Sequence, residues 1–181
     1  MFNDQWLGSG NLAVKKTVFD AVGGFDAQLT ACEDVDLCNR LRLAGHRIVA
    51  DPAMRNIHYG DPKTLQALFY GELWRGRDNV KVTFRGPKTF RELRSALIPI
   101  VDLVAIIAGP VALLFGHPLW AVGCWLLVLA LVMLRGLIIV RRLANPGLSD
   151  AVQAIAFAAV FDVAKALALL ARGSHRARRS S

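Results

Sequence analysis

Apolar positions are unevenly spread along this chain of 181 residues. Up to about Lys88 they alternate with polar and charged positions at spacings that predict short elements. Residues 10–14 form a brief extended run. A small helix then starts at Thr17, with Asp20 three residues on in a capping-box pattern, and Gly23-Gly24 ends it. Asp34 is placed as the N-cap of a second helix whose Leu37, Leu41 and Ala44 share a face, and Gly45 suits the residue after its end. Residues 47–50 predict a strand halted by Asp51-Pro52, and residues 54–58 a further extended stretch. Asp61-Pro62 opens a third helix through Leu65, Leu68, Phe69 and Leu73 toward Arg77. The breaker pair Gly86-Pro87 closes the segment. This is an α/β pattern with too few strands to build the sheet its helices would cover.

The second half differs in kind. Residues 96–115 carry one charge, Asp102, and about twenty such residues cross a hydrocarbon core of ~30 Å. Gly116-His117-Pro118 is a turn, and residues 119–140 form a second run interrupted only by Arg135. The two predict a transmembrane hairpin within residues 89–142. Arg91 and Arg94 precede it, Arg141 and Arg142 follow it, and the turn has no Lys or Arg, so both ends are expected in the cytoplasm. Arg135 can snorkel to that side, and Asp102 lies near the same end of its span. Residues 151–171 are a third apolar segment, with Asp162 and Lys165 spaced to pair on a helix. Crossing would place the basic tail, residues 172–181, outside. We therefore read residues 143–181 as an interfacial or re-entrant helix, with a third membrane helix as the alternative, followed by a basic tail.

Composition sharpens this division. The chain holds 22 Lys+Arg against 14 Asp+Glu, a net charge of +8, with 54% hydrophobic and 20% charged residues. Its length suits about one ordinary domain and excludes a large multidomain soluble enzyme. Residues 1–90 hold 12 basic and 10 acidic residues and residues 91–181 hold 10 and 4, so the positive excess flanks the apolar runs. That placement points to a membrane and away from nucleic acid, which also wants Arg and Lys interleaved with exposed aromatics. Cys32, Cys38 and Cys124 show neither disulfide nor metal-ligand spacing and are expected to be reduced. Asp4, Lys15, Lys16 and Asp20 interrupt the first residues, so no cleavable signal peptide is expected. Two or three spans leave little room for a solute pathway built on Asp102, Arg135, Asp162 and Lys165.

The candidate chemistry centres on Glu33-Asp34-Val35-Asp36, where a loop meets a helix. A helix N-terminus stabilises an anion, and a loop position lets one carboxylate face a cleft as a base; first-turn acids also commonly do no more than cap. Asp34-x-Asp36 has the spacing of a metal-diphosphate pair but follows no buried strand.

Taken in order, Gly10-Asn11-Leu12-Ala13-Val14, Phe19 with Val22-Gly23-Gly24-Phe25-Asp26, Glu33-Asp34-Val35-Asp36-Leu37, Arg40-Leu41 to Gly45, Asp51-Pro52 and His58 resemble the C-terminal half of a family-2 glycosyltransferase. The resemblance covers residues 8 to about 80. It implies a partial GT-A domain over residues 1–88, followed by an all-α membrane region. It also implies inverting transfer from a nucleotide-sugar donor to a lipid-linked or polysaccharide acceptor at the cytoplasmic membrane, with a divalent Mg or Mn ion in the complete enzyme.

By position, Asp34 matches the family's general base, Glu33 helps shape the acceptor site, and Asp36 caps or orients the following helix. Gly10 and Asn11 match an acceptor-side segment. Trp6 and Trp74 either stack on a sugar or pack. His58 either completes the metal site or ends a strand bonded to backbone. Arg75 and Arg77 either face the diphosphate or are solvated. No set of alternating strands and helices precedes Asn3, so the donor-binding half is expected elsewhere, for example in a separate polypeptide, and this segment is expected to be inactive without it. A second reading is a non-catalytic membrane scaffold that retains the acidic motif as a relic of the fold.

Overall fold

The computed structural model describes residues 2–4, 6–51, 53, 54 and 60–171. In chain order the elements are β1 (Phe2–Asp4), a 3-10 turn (Ser9–Asn11), α1 (Lys16–Ala21), α2 (Glu33–Leu43), β2 (Ile48–Ala50), α3 (Leu65–Arg75), α4 (Asn79–Arg85), α5 (Phe90–Leu114), α6 (Pro118–Val140) and α7 (Leu148–Ala168). They divide into two units. One comprises the described residues of Met1–Asp61 and Arg77–Ala96, and the other Pro62–Gly76 with Leu97–Ala171.

In the first unit, β1 and β2 pair antiparallel with Asn3 opposite Val49. A two-stranded ribbon is marginal alone and needs a packed partner. That partner is α2, whose Leu37, Cys38 and Leu41 are buried with Ile48 of β2 and covered by Leu7, Leu12, Val14, Val18, Phe19 and Val22. The face expected from the sequence therefore holds at Leu37 and Leu41. Ala44 is exposed, because the helix has already reached its C-cap there.

The closure at Gly45 is as expected. The amide of His46 donates to the Leu41 carbonyl and that of Gly45 to Arg42, both at 3.0 Å, with Gly45 at φ +87°. This Schellman arrangement satisfies carbonyls the helix leaves open, at a φ that suits glycine. Gly23 and Gly24 close α1 in the same way.

Three expectations for this unit need correction. Residues 10–14 are not one extended run, since the 3-10 turn takes up Gly10 and Asn11. Helix α1 begins at Lys16 rather than Thr17. The N-cap of α2 is Cys32, and Asp34 stands in the first helical turn beside Glu33 and Asp36. Cys32 adopts the left-handed conformation at φ 60°, which turns the chain into the helix two residues before Asp34.

Helix α4 falls where the sequence pattern names no element. Val80, Val82 and Phe84 alternate like a strand, yet the segment coils, burying Val82 and Thr83 in a helix that packs on α2. Tertiary packing overrides the local period. Gly86 caps it, and a Cβ there would lie 2.3 Å from Asn39 Nδ2 on α2.

In the second unit, α7 packs along both α6 and α3. Small residues make the approaches close. A Cβ on Gly136 of α6 would meet Ile155 Cγ1 at 3.1 Å, and one on Gly76 would meet the Ala168 Cβ at 2.5 Å. Helix α3 starts at Leu65 rather than after Asp61-Pro62, because Thr64 Oγ1 accepts from the Ala67 amide at 3.1 Å and caps it. It stops at Arg75, with Gly76 as C-cap, short of Arg77.

Three helices are long and apolar enough to cross a membrane: Glu92–Leu114, Pro118–Val140 and Leu148–Ala168. Pro99 and Pro110 both lie inside α5. Proline removes a donor from the helix ladder, and the Ser95 carbonyl that Pro99 leaves open is taken by Asn79 Nδ2 at 2.8 Å.

The charges among these helices are arranged differently from the sequence expectation. Arg135 of α6 does not simply snorkel. Its Nε donates to Asp162 Oδ1 of α7 at 2.7 Å, and the guanidinium lies 4.6 Å from the centre of the Phe161 ring. Lys165 pairs with Glu72 of α3 at 3.1 Å instead of with Asp162. Asp102 is 1% exposed, and neither of its oxygens has a hydrogen-bond partner among the described residues.

Candidate active site

The candidate site is built where α2 begins. The left-handed turn at Cys32 costs about 1 kcal/mol for a residue with a side chain, so neighbouring contacts must hold it. Asp78, the residue before α4, supplies several of them to the two residues ahead of the turn. Its Oδ2 accepts from the Thr30 amide at 2.7 Å, the Thr30 hydroxyl at 2.9 Å and the Ala31 amide at 3.1 Å. Three donors on one carboxylate oxygen fix the two residues ahead of the turn. Asp78 is the N-cap of α4 by position, yet its side chain makes no capping hydrogen bond to that helix.

Beyond the turn, α2 presents Asp34. Its Oδ2 accepts the Ser9 amide at 3.2 Å, and its Oδ1 accepts the Val35 amide at 2.8 Å. A Cβ on Gly8 would stand 3.8 Å from the same carboxylate. The loop that carries Gly10 and Asn11 is thus brought against the acidic motif across 25 residues of sequence. Asp34 and Glu33 are half-buried, Asn11 is half-buried, and Gly10 and Trp6 are exposed. A carboxylate held by backbone amides on one side and partly open on the other can accept a proton from a hydroxyl that reaches it.

Asp36 has a separate role. It is 2% exposed and pairs with Arg40 Nε at 2.8 Å, while the two ends of the Arg40 guanidinium donate to the carbonyls of Val22 and Gly24. This bolts the end of α1 to α2. A groove of about 610 Å³ is lined by Gly23, Phe25, Asp26, Gln28, Asp36 and Arg40, with Arg85 at its side. Asp34 is not among its lining residues. The Gln28 amide and the Arg85 guanidinium hold the Asp26 carboxyl below the usual carboxylate range, so this groove is lined by charges that already have partners.

The remaining candidates lie elsewhere. Arg75 belongs to the second unit and donates to Glu72 at 2.7 Å. Arg77 is half-buried in the first unit, with its Nε enclosed and unpartnered among the described residues. Trp74 is exposed on α3. His58 and the extended stretch at residues 54–58 lie, apart from Met54, outside the described residues. Among the described residues no group of three or more His, Cys, Asp or Glu could hold a metal ion. The sequence reading missed Asp78. An acid ahead of a strand-like segment carries no local sign of the loop, 48 residues earlier, that it serves.

The chain is similar to a glycosyltransferase. Over 82 residues, 45% of its length, it is 37% identical to the rhamnosyltransferase WbbL of Escherichia coli (strain K12). The match spans about 30% of the length of that curated relative. No protein-family model and no solved structure matches. Glycosyltransferase likeness and three helices of membrane-spanning length and apolarity therefore occur in one chain.

Proposed function

We propose that this chain is the acceptor-side, membrane-bound portion of a family-2, GT-A glycosyltransferase. In this reading it transfers a sugar, with inversion, from a nucleotide donor to a lipid-linked or polysaccharide acceptor at the cytoplasmic face of the membrane. The observation that carries it is the hydrogen bond from Ser9 to Asp34, which brings the loop of Gly10 and Asn11 against one half-open carboxylate. The relative's name supports transfer of a sugar and suggests rhamnose first among donors.

Asp34 takes the proton from the acceptor hydroxyl as that oxygen attacks the anomeric carbon. The bond from this carbon to the nucleoside diphosphate breaks, and the diphosphate leaves on the opposite face. Glu33, Asn11, Gly10 and Trp6 border the acceptor. Arg77, in the same unit as Asp34, is the candidate for the diphosphate. A donor-binding half supplies the nucleotide crevice, from the same or a separate polypeptide. The described residues by themselves do not fit a divalent ion. The metal is accordingly assigned to a set completed outside them, with His58 as a member, and no step above depends on it. Membrane helices hold the site beside a lipid-borne acceptor and so raise its effective concentration.

The test uses membranes from cells producing the chain together with its donor-binding half, supplied in turn with radiolabelled nucleotide-activated rhamnose, glucose, galactose and N-acetylglucosamine. Label is expected to pass from one of them into the lipid-extractable or polysaccharide fraction. Absence of transfer from every donor, in membranes where both halves are present, favours the scaffold reading.

A further inference from the structure

We propose that Asp78 is a positioning residue for catalysis, acting on Asp34 through the turn at Cys32. The inference rests on the reading of Asp34 as the base. Four observations lead to it. Asp78 is the N-cap of α4, and its carbonyl accepts the Val82 amide at 2.9 Å, but its side chain makes no capping hydrogen bond there. Its Oδ2 instead takes three donors from Thr30 and Ala31. The next residue, Cys32, holds a left-handed conformation that side chains rarely adopt. Immediately beyond it α2 begins, and its second residue, Asp34, is the one that meets Ser9.

The chain from Thr30 to Asp34 is thereby pinned at both ends and strained in the middle. A left-handed residue persists only when its surroundings over-determine it. Among its surroundings here are the residues held by the Asp78 carboxylate on one side and the first turn of α2 on the other. Releasing Thr30 and Ala31 lets Cys32 relax toward ordinary backbone angles, and the start of α2 swings with it. Asp34 moves off Ser9 while the packed portion of the helix, at Leu37 and Leu41, stays in the core. A displacement of about 1 Å at a reacting group costs on the order of 10²-fold in rate.

Two measurements test this. In the first, amide hydrogen exchange is followed on this chain in detergent, with no substrate present. Asp78→Ala is expected to strip protection from the Ser9 amide and from the first turn of α2, while amides near Leu41 keep theirs. Cys32→Gly in the same background supplies a residue at ease in the left-handed turn and is expected to restore protection at Ser9. Thr30→Val removes the hydroxyl donor alone and is expected to give a smaller loss.

In the second, the same variants are assayed for transfer together with the donor-binding half. Asp78→Ala is expected to lower kcat about 10²-fold with the donor KM within about twofold. Adding Cys32→Gly is expected to recover about tenfold of the loss. A purely structural role would lower protection throughout the unit and would not be rescued at position 32. Unchanged exchange at Ser9 in Asp78→Ala, or uniform loss of protection without rescue, overturns the proposal. Full activity in Asp34→Asn would instead overturn the reading of the base, and the exchange data would still decide the action of Asp78 on the turn.

Discussion

Replacing Asp34 by Asn is expected to lower kcat for sugar transfer by about 10³-fold, the usual worth of a positioned general base, with donor affinity nearly unchanged. The reason lies in what the substitution spares. The amide oxygen of Asn can still accept the Ser9 amide that now bonds Oδ2 at 3.2 Å, so the loop and helix remain together. What disappears is an anion able to take the acceptor's proton. Equal losses in kcat and kcat/KM mark an interaction made only as the reaction proceeds. Asp34→Ala adds the loss of the loop contact and should raise the acceptor KM as well. Turnover close to that of the parent in Asp34→Asn would show that the base is another group.

Replacing Arg135 by Leu is expected to have the largest effect on stability, about 3 kcal/mol, because it leaves a buried carboxylate without its partner. Asp162 is 2% exposed and has its Oδ1 on Arg135 Nε, while its Oδ2 has no partner among the described residues. Asp102, equally enclosed, is also within electrostatic range of Arg135. Lys165 is the nearest replacement along α7, but Glu72 already holds it. In detergent, Arg135→Leu should melt well below the parent or fail to accumulate in membranes. Joining it to Asp162→Leu should recover most of the loss, since an apolar pair of similar volume avoids burying an unpaired charge. If Arg135→Leu melts with the parent, the ion pair contributes nothing to the helix packing.

The parts legible in the sequence share a physical cause. Gly45 and Gly23 are where a helix must reverse and few residues fit, so composition alone marks them. The long helices follow from unbroken apolar runs of about twenty residues, which few other structures accommodate. Asp34 was legible as a candidate because acids collect at helix starts, although its place in the first turn was not. That depends on Cys32, whose left-handed backbone no sequence rule for cysteine anticipates. The partners of the charged residues were hidden for a similar reason. Asp162 and Lys165 have the spacing to pair with each other, yet each finds a better partner on another helix, at Arg135 and Glu72. Helix α4 has the alternation of a strand, yet it coils and packs on α2. Local rules see intervals along one chain; they do not see Asp78 reaching Thr30.

The near-contact of Gly86 with the Asn39 amide ties together two positions that lie far apart in the chain. Any side chain at 86 needs space that the amide now fills. Shortening residue 39 would provide that space, but would also remove the donor that reaches the Val82 carbonyl at 3.4 Å. A bulkier residue at 86 therefore requires the Asn39 side chain to swing aside or to be replaced by a shorter one. The seat of α4 on α2 thus depends on a position with no side chain at all facing one whose amide fills the gap.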